Sequence, residues 1–143
     1  MGKSFHLVSL MDEHRALVSL CDDLKNRVET GEWRLCDSIW DDLAHRLSEH
    51  MRVEEEQIFP RHERIGEAEA KLVGRLRSDH DRFRSDLERI GLRIQLHELD
   101  RREIENLVGR LEAHATLENA SLYPWAENLA LIAAPLSEKS ESA

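Results

Sequence analysis

The sequence predicts an all-α protein: an antiparallel, up-down-up-down four-helix bundle with a short fifth helix at its C-terminal end. Apolar residues recur at spacings of three and four through four long segments, the signature of helices that each turn one face to a core. Short connections separate them, the first two carrying glycine or proline, as in an antiparallel bundle. The composition agrees, with 41% hydrophobic, 34% charged and 5% aromatic residues, six glycines and three prolines. At 143 residues the chain suits one domain with a real core. That domain is expected over residues 1–134, with 135–143 a polar, disordered tail.

The first segment carries Leu7, Leu10, His14, Leu17, Cys21, Leu24 and Val28 on one stripe and stops at Thr30-Gly31. The second carries Cys36, Trp40, Leu43, Leu47, His50, Glu54 and Ile58, and Pro60 is expected to end it, because proline cannot continue the backbone ladder. Val73, Leu76, His80, Phe83, Leu87, Ile90 and Ile94 mark the third, which breaks near residues 97–100. Asp100, three residues ahead of Glu103, reads as a capping box opening the fourth. Its stripe is Ile104, Leu107, Leu111, His114, Glu118 and Leu122, ending before Pro124. WAENLALIAA then supplies the short fifth helix, with proline at its first turn.

Charge and composition narrow the function. A net charge of −9 argues against nucleic acid or an anionic membrane as partner, since both require a basic footprint. No apolar run approaches the roughly 18 residues of a membrane span, and MGKSFHLVSL lacks the apolar core of a signal peptide, so a cytoplasmic protein is expected. Cys21 and Cys36 are too few for a disulfide framework and too oddly spaced for a zinc knuckle. Lying on apolar stripes, they read as buried reduced thiols.

Each stripe is interrupted near its middle by the same kind of residue: His14, His50 with Glu54, His80, and His114 with Glu118. A carboxylate in a bundle core persists when paired, protonated or bound to metal. Composition alone gives roughly one H-x-x-x-E couple by chance, and the chain has three. His45 with Glu49 lies off its stripe; the other two couples lie on theirs. Repetition is the stronger signal. HMRVEEEQIFP at 50–60 is echoed by HATLENASLYP at 114–124, with histidine, glutamate, aromatic and proline at the same offsets. DEHR around His14 pairs with SDHD around His80, each about 35 residues ahead of its couple. The chain thus reads as two helix pairs with approximate two-fold symmetry about a central site. Residues four apart share a helix face about 6 Å apart along the axis, which lets an imidazole and a carboxylate reach the same or adjacent cations. A carboxylate can bridge two cations, while imidazole suits iron, zinc, copper and nickel.

In this order of lone histidine, H-x-x-x-E, lone histidine, H-x-x-x-E, the sequence resembles the hemerythrin-like family, the HHE cation-binding domain, over residues 5 to about 125. The ferritin pattern fits worse, for it needs Glu-x-x-His and no glutamate here precedes a histidine by three. The resemblance implies a non-haem di-iron centre. His14 and His50 would serve one iron and His80 and His114 the other, with Glu54 and Glu118 bridging and an oxo or hydroxo group between them. Zinc or manganese is an expected substitute. Oxygen carriers of the family have a further histidine four residues after the one on the third helix, and Arg84 stands there in this chain. With four histidines, both irons would keep open positions or take water.

Three functions follow as expectations. The first is a binding protein for a small gaseous ligand, oxygen or nitric oxide, serving storage, delivery or sensing. The second is an iron-handling or redox enzyme that repairs damaged iron centres, oxidises ferrous iron or turns over peroxide. The third is a metal-free interaction bundle, which the paired motifs disfavour. Among the remaining residues, His6, His45, His62 and His97 read as surface, and Trp33 and Trp40 as packing. Tyr123 and Trp125 read as caps on the bundle end, with a role near a ligand channel as the alternative. Glu55 and Glu56 read as solvent-facing, with Glu55 alternatively accepting a hydrogen bond from a ligand histidine.

Overall fold

Four long helices form where the apolar stripes place them. In the computed structural model, which describes residues 7–127, α1 spans Leu7–Thr30, α2 Trp33–Val53, α3 Phe59–His62, α4 Glu67–Gln95 and α5 Arg101–Leu117. π-helical turns at Glu54–Ile58 and Glu118–Leu122 continue α2 and α5. Helices α1, α2, α4 and α5 pack in a ring, α1 on α2 and α5, and α4 on the same two. Each long helix therefore lies beside its neighbours in the chain, as short connections require of an antiparallel bundle. No strand occurs among the described residues, nor is any of their helices long and apolar enough to cross a membrane. The second π turn runs directly into α-helical residues 123–127. The rest of the expected fifth helix and the tail at 135–143 lie outside the described residues, as does His6.

The helix ends show why the loops can be short. Gly31, at φ 72°, closes α1 with the paired bonds of a Schellman motif: its own N–H donates to Val28 and that of Glu32 to Arg27. The same pairing closes α4, where the N–H groups of His97 and Glu98 donate to Ile94 and Arg93. There a histidine occupies the left-handed position at φ 57°, its ring stacked on Trp33 at 5.1 Å. At the start of α5 the predicted capping box is present, with Asp100 accepting from the Glu103 N–H and Glu103 accepting from the Asp100 N–H.

One expectation needs correction. Pro60 and Pro124 do not end their helices; the chain stays helical through His62 and through residue 127. Proline removes an N–H and crowds the carbonyl four residues back. Here the turn before each proline widens to i→i+5 bonding, with the Phe59 N–H donating to Glu54 and the Tyr123 N–H to Glu118. A turn of that kind accommodates what a regular α-helix would not.

The core divides into two apolar clusters. One gathers Leu17, Cys21, Leu24, Trp40, Leu43, Ile90, Ile104 and Leu107. The other gathers Leu10, Ile58, Phe59, Leu76, Leu122 and Tyr123. Cys21 and Cys36 are free and buried, as expected. Burial, helped by the charge of Asp22, pushes the Cys21 thiol up to about 12, which leaves it protonated and inert at neutral pH. Asp86 is a buried charge outside the predicted stripes, and it joins α4 to α5 by accepting from Arg110 at 2.6 Å and Arg89 at 3.1 Å.

Candidate metal centre

All six interrupting residues converge on the bundle axis. His50, Glu54, His80, His114 and Glu118 are buried, and the His14 side chain is 14% exposed. Their donor atoms form two overlapping groups, each within 4.8 Å: His14, His50, Glu54 and Glu118, and Glu54, His80, His114 and Glu118. Both glutamates belong to both groups. Glu54 points Oε2 to His50 Nε2 at 3.3 Å and Oε1 to His80 Nε2 at 3.1 Å. Glu118 points Oε1 to His14 Nε2 at 3.1 Å and Oε2 to His114 Nε2 at 3.0 Å. The predicted symmetry is thus present in the geometry, each carboxylate placing one oxygen in each half.

Several of these contacts are poor hydrogen bonds, and that favours a cation. His114 Nε2 and Glu118 Oε2 are buried and face each other at 3.0 Å without a bonding angle, and neither has a hydrogen-bond partner among the described residues. His14 Nε2 and His50 Nε2 approach to 3.2 Å, nitrogen to nitrogen. Donors aimed at a common point rather than at one another are what a metal site requires. Without a cation, protons must balance the two buried carboxylates. Burial alone would lower the His50 imidazole, but Glu54 and Glu118 outweigh it and hold the group at about 10. His114 is likewise pushed down by burial, yet Glu118, Asp79 and Glu54 raise it to about 9. Glu118, despite burial that works the other way, is held well below the usual carboxylate range by His114, His14 and His50. The buried His/Glu cluster fits a metal site.

Three further residues complete the surroundings, and two were misjudged from sequence. Tyr123 does not cap the bundle end. Its buried hydroxyl donates to Glu54 Oε2 at 2.6 Å and lies 3.1 Å from Glu118 Oε1. In a regular helix a residue five positions on lies roughly 140° round the axis, so Tyr123 reads as off the stripe. A π turn reduces that rotation to roughly 50°, which swings Tyr123 and its counterpart Phe59 onto the site face. The Phe59 ring accordingly lies 5.2 Å from His80. Glu55 takes the alternative role considered for it, accepting from His80 Nδ1 at 2.7 Å, while Glu56 is exposed. Asp79, which no stripe singled out, meets His114 Nδ1 at 2.9 Å. Arg84 is tied to both oxygens of Glu55, at 2.6 and 2.8 Å, and contributes no donor to the centre. His62 also departs from expectation: it is buried, its ring edge-on to Trp125 at 4.5 Å, and burial lowers its pKa.

Comparison with known proteins agrees with this arrangement. No curated protein and no solved structure matches the chain. A family model described as the hemerythrin HHE cation binding domain matches residues 7–126. That span opens on the first residue of α1 and runs past the second π turn, taking in all six converging residues; the chain belongs to the hemerythrin family of HHE cation-binding domains.

Proposed function

We propose that the protein holds two iron ions through His14, His50, His80 and His114, with Glu54 and Glu118 shared, and binds oxygen or nitric oxide there for storage, delivery or sensing. The observation that carries this reading is that each glutamate offers one oxygen to each of two donor groups. A carboxylate so placed suits a pair of cations better than one. Four protein residues per group leave room at either cation for a further ligand, and Arg84, engaged with Glu55, does not fill it. Size supports a small ligand. The enclosed cavity among His14, His50, His80 and His114 holds about 10 Å³, room for about one water-sized molecule.

A second reading, an iron-handling or redox enzyme, draws on one observation. His14 lines an open groove between α1 and α5 beside Arg15, Asp22 and Glu112, a route by which iron itself could exchange. Anaerobic purification, ferrous loading and metal counting test both. Two irons per chain, with a spectrum that changes and returns on cycling oxygen or nitric oxide, is the expected result. Irreversible oxidation with iron release favours the enzyme. Unchanged metal content in both His50→Ala and Glu118→Ala refutes the ligand assignment.

A further inference from the structure

The two halves of the centre match in their donors and differ in what stands behind them. On one side, His80 Nδ1 meets Glu55 at 2.7 Å and His114 Nδ1 meets Asp79 at 2.9 Å. On the other, the Nδ1 atoms of His14 and His50 are buried with no partner among the described residues. The internal repeat shows where the missing partners would stand. It pairs Asp79 with Glu13, each just before its lone histidine, and Glu55 with Asn119, each just after its glutamate. Glu13 pairs instead with Arg46 at 3.6 Å. Asn119 lacks the charge and lines the groove that His14 also borders.

A carboxylate behind an imidazole fixes the tautomer, holds the ring and makes the metal-facing nitrogen a stronger donor. His80 and His114 have that support and are 0% and 6% exposed. His14 and His50 lack it, and His14 borders solvent.

Resting on the two-cation reading above, we infer that the positions are unequal: the His80/His114 position fills first and retains its cation, while the His14/His50 position fills second and exchanges through the α1/α5 groove. Repulsion between neighbouring cations would by itself separate two binding events, so the test compares variants that keep one position each. Zinc alone serves as the probe, titrated against a chromophoric chelator into metal-free protein, with circular dichroism to check the fold. The site left in His14→Ala binds zinc at least about tenfold more tightly than the site left in His114→Ala. Adding Asp79→Asn weakens the first variant about 10–100-fold and leaves the second within twofold. Asn119→Glu, which supplies the carboxylate the repeat lacks, tightens the weaker wild-type event by about tenfold. Should His114→Ala fail to fold, Asp79→Asn in the otherwise intact chain decides, by weakening the tighter event and sparing the other. Equal or reversed affinities overturn the inequality while the two-cation reading stands. No zinc bound by the wild-type protein overturns that reading and the inequality with it.

Discussion

Tyr123→Phe isolates one hydroxyl at the centre. The ring keeps its volume, so no cavity opens and the packing against Leu122 and Phe59 persists. What is lost is a 2.6 Å hydrogen bond to a fully buried carboxylate. Burial first, then Glu54 and Glu118, push the phenol's pKa upward, so it remains a donor across the working pH range. A hydrogen bond to a charged group contributes about 1.5–3 kcal/mol. For a chain of this size about 2 kcal/mol lowers the melting temperature by roughly 6 °C. That loss is expected in the metal-free protein. With zinc bound, the cation takes over Glu54, and the difference shrinks below about 1 kcal/mol. Paired thermal melts of wild type and variant, with and without zinc, make the comparison. A metal-free melting point within 1 °C of wild type, or an equal loss in both forms, refutes the claim that the phenol stands in for a cation at Glu54.

Three further outcomes follow from the same geometry. His50 and His114 have folded-state values of about 10 and about 9, above the ordinary value of about 6.5. The stability they give the metal-free protein is complete below that ordinary value and is lost as pH rises through the folded values. Chemical denaturation of metal-free protein between pH 6.5 and 10 should therefore show a decline of a few kcal/mol; a flat profile contradicts it. Zinc affinity should move the other way, falling as pH drops through those same folded values of about 10 and about 9 because protons compete for the same imidazoles, with proton release on binding at neutral pH measurable by calorimetry in buffers of different ionisation enthalpy. Asp100→Ala breaks the capping box of α5 and should destabilise the protein by about 1 kcal/mol in urea melts, leaving zinc stoichiometry unchanged.

The fold and the convergence of the six His and Glu residues were legible because both rest on helical periodicity. Leu17, Leu43, Ile90 and Leu107 repeat at three and four and are buried; His14, His50, His80 and His114 share their stripes and so their axis. The residues that were missed fail that rule for identifiable reasons. Tyr123 sits five positions after Glu118, a spacing that faces the site through a π turn and away from it in an α-helix. A combination in the sequence did carry the signal: a proline two residues after a buried stripe position, twice, at equal offsets. Asp79 and Glu55 lie next to stripe positions and reach across to histidines on other helices, which no single-helix pattern encodes. His62 lies four residues after Ile58, on the same stripe, and was read as surface because Pro60 was expected to end the helix before it.

The repeat explains why such prolines persist at all. Glu54 and Glu118 each accept, through the backbone carbonyl, the bond that a regular helix would give to the residue after, and each begins its π turn. The widened turn therefore starts at the shared carboxylate in both halves. Its effect is to bring an aromatic ring against a histidine in each half: Phe59 against His80 on one side, Tyr123 against His14 at 5.9 Å on the other. Both rings belong to the apolar cluster of Leu10, Ile58, Leu76 and Leu122, and the proline that follows disfavours a return to α bonding at that turn. Replacing Pro124 with alanine would restore the missing N–H and allow the turn to tighten. Tyr123 would then rotate away from Glu54, so Pro124→Ala should reproduce much of the Tyr123→Phe loss in metal-free protein although its side chain is exposed. If Pro124→Ala melts like wild type, the π turn is held by the site and not by the proline.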